Sequence, residues 1–166
     1  MTEALPARCP DPLLDRLTLV SGGQTGADRA ALDWAIAHGV PHGGWCPHGR
    51  LAEDEVISER YRLRETPSAD YAQRTEWNVR DSDATLIVSI ASELTGGSRL
   101  THAIAERLGK PCLHVARGDI DVARVRDFLA RHCVRVLNVA GPRASKEADA
   151  YASTCALLDA VFPTAT

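Results

Sequence analysis

Leu17-Thr18-Leu19-Val20-Ser21-Gly22-Gly23-Gln24-Thr25-Gly26 runs directly into Ala27-Asp28-Arg29-Ala30-Ala31-Leu32-Asp33-Trp34-Ala35-Ile36, and Gly39 follows closely. A short apolar run with β-branched members stops abruptly on a glycine-rich turn. Beyond the turn, Ala30, Ala31, Trp34, Ala35 and Ile36 fall on one side of a 3.6-residue period, and Gly39 supplies a helix stop. Strand, glycine turn and helix in that order open a βαβ crossover.

The same rhythm continues outward from this stretch. Residues 42–46 allow a short strand, 47–58 form a charged loop, and Tyr61-Arg62-Leu63-Arg64 is weakly strand-like. The spacing predicts a helix over 70–81. Ala84-Thr85-Leu86-Ile87-Val88-Ser89-Ile90 is apolar almost throughout, as a strand covered on both faces should be. Thr95-Gly96-Gly97-Ser98 is a second glycine loop, and a helix over 99–108 ends at Gly109. Pro111–Val115 reads as a strand, 121–132 as a helix, Val134–Val139 as a strand, and 146–160 as a last helix with Ser145 as its N-cap. Strands alternating with helices of this length predict one α/β domain over 17–162, Rossmann-like and doubly wound, with a mostly parallel sheet. Residues 1–16, with Pro6, Pro10 and Pro12, read as a flexible N-terminal arm.

The bulk properties narrow the function classes. A chain of 166 residues suits a single domain. A net charge of -3 gives no steering toward nucleic acid or an anionic membrane. No stretch approaches the roughly 20 apolar residues of a membrane span, and no apolar signal run opens the chain, so the expected address is the cytoplasm. The five cysteines are scattered and form no C-x-x-C pair, which argues against a disulfide framework or a zinc ribbon. Cys112, Cys133 and Cys155 lie beside apolar runs and read as small core hydrophobes.

Both glycine loops have the chemistry of an anion site. Glycine lets the backbone turn tightly and approach a ligand closely, and a helix N-terminus aims free N–H groups outward. The expected cradle is Gly22, Gly23, Gln24, Thr25 and Gly26 with Gly96, Gly97 and Ser98. The first loop is neither a Walker A motif nor a dinucleotide G-x-G-x-x-G, so nucleoside triphosphates and nicotinamide cofactors are disfavoured. Arg74, Asn78 and Asp81 share a helical stripe that is either ligand-facing or merely solvated. His42, Cys46 and His48 lack a matched ligand set, and no metal site is expected there. Glu53, in the acidic run Glu53-Asp54-Glu55, is either a solvated loop residue or an acid or base turned into a cleft.

Longer motifs run through the same residues. Ser21–Asp33, Gly44-Trp45-Cys46-Pro47-x-Gly49-Arg50-x-Ala52-Glu53-Asp54, Arg74-Thr75-x-x-Asn78-Val79-x-Asp81-Ser82-Asp83, Thr95-Gly96-Gly97-Ser98-x-x-Thr101, Gly109-Lys110-Pro111 and Asn138-Val139-Ala140-Gly141-Pro142-Arg143 together resemble the molybdenum carrier family over about residues 17–158. The resemblance implies a Rossmann-like fold and binding of the molybdenum cofactor (molybdopterin), a pterin with a phosphate and a dithiolene-held metal. It also makes Arg74 the expected cationic contact. The wider superfamily includes nucleoside-monophosphate phosphoribohydrolases, once called lysine decarboxylases, with a Pro-Gly-Gly-x-Gly-Thr-x-Glu signature. The corresponding stretch here, Thr95–His102, has no glutamate, and Glu55 stands where the carrier pattern has glycine. No catalytic residue is therefore assigned. The expected function is a non-catalytic binding or carrier protein for molybdenum cofactor or a related phosphorylated pterin or nucleotide-like ligand. The alternatives are a phosphoribohydrolase-like enzyme using Glu53 and a nucleotide-sensing domain. By analogy with related folds, a homo-oligomer is expected.

Overall fold

The computed structural model describes residues 11–163. Among them seven strands and five α-helices follow in the order β1 (Thr18–Val20), α1 (Ala27–Ala37), β2 (His42–Gly43), β3 (Trp45–Cys46), β4 (Arg64–Glu65), α2 (Tyr71–Arg80), β5 (Ala84–Ser89), α3 (Gly96–Leu108), β6 (Cys112–Ala116), α4 (Val122–Arg131), β7 (Val136–Ala140) and α5 (Ala150–Val161). Five strands form one sheet in the order β2-β1-β7-β5-β6, and every pairing in it is parallel. Helices α1, α4 and α5 pack together on one face, and α2 and α3 on the other. The expected Rossmann-like, doubly wound α/β domain is the architecture found.

The main core fills the space under α1, α4 and α5. It joins Leu19, Leu86, Val88 and Val139 of the sheet to Leu129, Leu157, Leu158 and Phe162 of the helices. A smaller cluster of Val79, Ile104 and Ala105, with Cys112 packed against it, holds α2 and α3 to the opposite face. Six consecutive buried residues in β5 match its apolar sequence, since layers cover it on both sides.

Five local expectations are corrected. The 42–46 stretch is not one strand. Gly44, at φ +128°, breaks it, and a Cβ there would stand 2.2 Å from the Ser21 carbonyl oxygen. His42–Gly43 extends the main sheet beside β1, whereas Trp45–Cys46 pairs with β4 in a separate ribbon. Helix α3 starts at Gly96, so the second glycine pair forms its first turn rather than a loop before it. Helix α5 starts at Ala150 after Asp149, because the Ser145 hydroxyl donates to Glu53 Oε2 at 2.5 Å instead of capping. Residues 11–16 pack on the domain: Leu14 is in the main core and Arg126 donates to Asp11 at 3.0 Å. The rest of the expected arm, with Cys9, lies outside the described residues. Cys112 and Cys155 are half-buried, but Cys133 is exposed in a helix-to-strand turn at φ +49°.

The charged loop after β3 is ordered from within by one side chain. Arg50 is buried and sits at φ +55°. It donates to the carbonyls of Ile57 (3.0 Å), Leu63 (3.2 Å), Ser58 (2.8 Å) and Tyr61 (3.0 Å). The loop so gathered buries Ile57, Tyr61 and Leu63 against Leu32 of α1 and Cys46 of β3.

Candidate functional site

Strand β7 lies between β1 and β5 in the sheet. Helix α1 leaves β1 toward one face and α3 leaves β5 toward the other. Their divergence opens a crevice beyond the carboxyl ends of the strands, where open α/β sheets bind ligands. A cleft of about 320 Å³ lies there. That volume is at the small end of the range for small-molecule sites.

The β1–α1 turn contributes Gly22 and Gln24 to the lining, α1 contributes Asp28, and α2 contributes Tyr71, Arg74 and Asn78. The β5–α3 junction contributes Gly96, Gly97 and Ser98, and the chain after β7 contributes Arg143, Lys146 and Glu147. Of the residues expected from sequence, Gly22, Gln24, Arg74, Asn78, Gly96, Gly97 and Ser98 thus meet in one cleft. Gly23, Thr25 and Gly26 stand outside its lining. Gly23, at φ +78°, faces the loop core, where an added Cβ would meet Leu63 Cδ1 at 2.7 Å. Gly26, at φ +81°, is covered by the Pro142 carbonyl, 2.3 Å from such a Cβ, and the same carbonyl accepts the Ala27 N–H at 3.3 Å. Thr25 donates its hydroxyl to Glu53.

The two helix N-termini therefore differ. That of α1 is occupied by the segment after β7. That of α3 is open. Its N-cap, Thr95, makes no side-chain capping bond. The backbone N–H groups of Gly96, Gly97 and Ser98 have no backbone partner among the described residues, as expected of a first turn without a cap. Ser98 Oγ is buried and also has no partner, while Thr101 in the next turn donates to the Gly97 carbonyl at 2.9 Å. An unpaired buried hydroxyl is costly, so such a group in a native fold calls for a missing partner.

Arg74 is buried, and its Nη1 donates to the Gly22 carbonyl at 2.8 Å. Its guanidinium lies 5.2 Å from the Tyr71 ring centroid. Asn78 clamps β3, accepting the Trp45 N–H at 2.8 Å and donating to the Trp45 carbonyl at 2.9 Å. Glu53 is off the cleft. It receives Thr25 and both the amide and hydroxyl of Ser145. Burial works to raise its carboxyl pKa, but those hydrogen bonds and nearby Arg143 outweigh it and hold the group below its ordinary value. Glu147 accepts the Ile90 N–H at 2.6 Å and the Ala91 N–H at 3.2 Å, which ties the loop before α3 to the loop before α5. His42 accepts the Arg62 N–H at 3.2 Å, and His48 is exposed beside Glu65. Cys46 is buried under the loop. Among the described residues, no three His, Cys, Asp or Glu side chains gather where a metal could be held.

A model of the circularly permutated YpsA SLOG family matches residues 19–162. The chain belongs to this family. A crystal structure of a protein from Syntrophus aciditrophicus SB, named "putative molybdenum carrier protein", is similar at 49% identity with a TM-score of 0.84. The similarity covers 87% of this chain and 94% of that one, and it bears out the family resemblance read from the motifs. No curated protein matches the chain.

Asp28, like Arg143, Lys146 and Glu147, lines this SLOG-family cleft without having been expected from sequence. Asp28 sits in the first turn of the glycine-led helix, where an acid is ordinarily solvated. It is in fact buried, and burial pushes its carboxyl up to about 6, only partly offset by Arg74, by the Gln24 and Gly22 amides and by Arg29. The folded chain keeps this proton at pH values where the unfolded chain has released it. Its contribution to stability is thus fully present below pH 3.8 and is lost as pH rises through about 6. Asparagine cannot titrate. Relative to wild type, Asp28→Asn is expected to gain up to about 3 kcal/mol between about pH 4 and pH 7. Denaturant unfolding at both pH values measures this, and a pH-independent difference would show that the carboxyl titrates normally.

Proposed function

We propose that this chain is a non-catalytic binding or carrier protein for a phosphate-bearing ring compound of the molybdenum-cofactor type, with the phosphate seated on the N-terminus of α3. The observation that carries the reading is Ser98: its hydroxyl is buried without a partner beside three unpaired N–H groups, at the edge of the cleft. An anion there would accept from all four donors and sit at the positive end of a 13-residue helix. Lys146 and Arg143 line the same cleft and add positive charge near it. The name of the Syntrophus protein supports a molybdenum-related cargo. In molybdenum cofactor the dithiolene holds the metal, so such cargo asks the chain for phosphate and ring contacts rather than metal ligands. Glu53, tied to the Thr25 and Ser145 hydroxyls away from the cleft, is better suited to joining loops than to moving protons.

Purification from a host that makes molybdenum cofactor, followed by mass spectrometry of the released small molecules, tests the reading. A phosphorylated pterin in stoichiometric amount is the expected result. Repeated recovery without any phosphate-bearing compound overturns it. Ser98→Ala removes one donor to a charged acceptor, worth about 1.5–3 kcal/mol, and should weaken the recovered ligand roughly tenfold or more with the fold intact. Calorimetric titration reads that change, and equal affinity would remove Ser98 from the site.

A further inference from the structure

The cleft has a second pole. Asp28 lines it from the β1 side, whereas the α3 N-terminus lines it from the β5 side, with β7 between. Two strand spacings separate these edges, about 9–10 Å. Asp28 is 7% exposed, yet no side chain among the described residues makes a hydrogen bond to it. The Arg74 Nη1 stops 3.7 Å short and donates to the Gly22 carbonyl instead. The Gly22 and Gln24 amides lean on the carboxylate, and Arg29, the other nearby cation, is held by Asp54 at 2.7 Å. A carboxylate accepts about four hydrogen bonds. With only the Gly22 and Gln24 backbone amides donating to it, it keeps acceptor capacity for donors on a ligand.

The surroundings specify what kind of donor fits. Gly22 keeps the space beside Asp28 free of a side chain, since a Cβ there would meet Asp28 Oδ2 at 2.9 Å and Arg74 Nη1 at 2.3 Å. The exposed Tyr71 ring and Leu100, with Leu94, supply flat and apolar wall between the two poles. A planar ring with paired N–H donors on one edge satisfies the carboxylate and the wall together.

We propose that Asp28 is the specificity-determining residue of this cleft, accepting in bidentate fashion from the adjacent ring N–H and exocyclic NH2 of a 2-amino-4-oxopyrimidine edge, as guanine and pterins present, while the phosphate of the same ligand rests on α3. This rests on the binding reading given above and adds the ring selectivity to it. Inosine presents the same ring N–H without the amino group. Adenine presents a ring nitrogen lone pair that faces the carboxylate unfavourably.

Titration with guanosine, inosine and adenosine 5′-monophosphates and with inorganic phosphate tests it. Wild type should bind the guanosine compound at least tenfold more tightly than the inosine one, and the adenosine one more weakly still. Asp28→Asn presents one acceptor and one donor to the edge. Its affinities for the three nucleotides should fall within about threefold of one another. Equal wild-type affinities for the three nucleotides, or the same preference in Asp28→Asn as in wild type, overturn the role of Asp28 and leave the phosphate site standing. Failure of all four probes to bind wild type overturns both. Melting curves verify that Asp28→Asn folds, and if it does not, the wild-type preference alone decides.

Discussion

Arg50→Ala is expected to lose about 3–5 kcal/mol of stability. All three guanidinium nitrogens of Arg50 donate to carbonyls of the loop that follows it: Ile57, Ser58, Tyr61 and Leu63. A hydrogen bond to a charged donor contributes about 1.5–3 kcal/mol, and the four are not additive because they share one group. Truncation would leave several of these carbonyls without a donor. The consequence also spreads. Ile57, Tyr61 and Leu63 pack on Leu32, and Ile57 and Leu63 are the atoms nearest to Gly23. Loosening the loop therefore loosens the glycine turn that borders the cleft. Arg50→Lys keeps the charge but not the planar fork, so it should recover only part of the loss. Denaturant unfolding of the three proteins measures the effect, and amide exchange over residues 50–63 locates it. A loss below about 1 kcal/mol for the alanine variant would place the loop's stability elsewhere.

The second large effect is on binding and has the opposite sign on stability. Gly97→Asp puts a carboxylate into the first turn of α3. Nothing lies within 4 Å of a Cβ at Gly97, so the side chain fits without moving a neighbour. Replacing glycine in a helix recovers up to about 1 kcal/mol, and an acidic group at a helix N-terminus adds about 0.3–1 kcal/mol. The variant should melt slightly higher than wild type. Its carboxylate would occupy the same N–H groups that the phosphate needs, and two like charges about 4 Å apart repel by about 4 kcal/mol near a protein surface. Affinity for the phosphate-bearing ligand should fall a hundredfold or more. Calorimetry and thermal melts together check this pair of results. Retained affinity in a stabilised Gly97→Asp protein would put the phosphate somewhere other than α3.

The sequence was most legible where one local rule acted alone. The run from Leu17 to Gly26 reads as strand and turn because the apolar residues stop on glycine, and β5 reads as buried because almost every residue in it is apolar. Legibility failed where a side chain far along the chain decided the outcome. Ser145 has the chemistry of an N-cap, but Glu53, 92 residues away, takes its hydroxyl, and α5 begins at Ala150 instead. The stretch 42–46 has strand composition, but the close approach of Ser21 demands glycine at position 44, and the strand divides between two sheets. The two glycine loops look equivalent as sequence. Only the path of Pro142 over α1 distinguishes them, closing one N-terminus and leaving the other open. Asp28 shows the same limit. Its position in an acid-tolerant helical turn gives no sign of burial, which follows from the turn and from α2 closing over it through Arg74. Ser98, by contrast, was legible in kind: a hydroxyl next to paired glycines at a strand-to-helix junction is an anion-site pattern, and the fold leaves that hydroxyl unpaired.

The most direct measurement is a titration of the isotopically labelled chain with inorganic phosphate, followed amide by amide by NMR. If the phosphate sits on α3, the amide signals of Gly96, Gly97 and Ser98 move together with one dissociation constant, and those of Gly23 and Gly26 stay in place. Shifts confined to residues 22–26, or no shift at the α3 N-terminus at saturating phosphate, would contradict it.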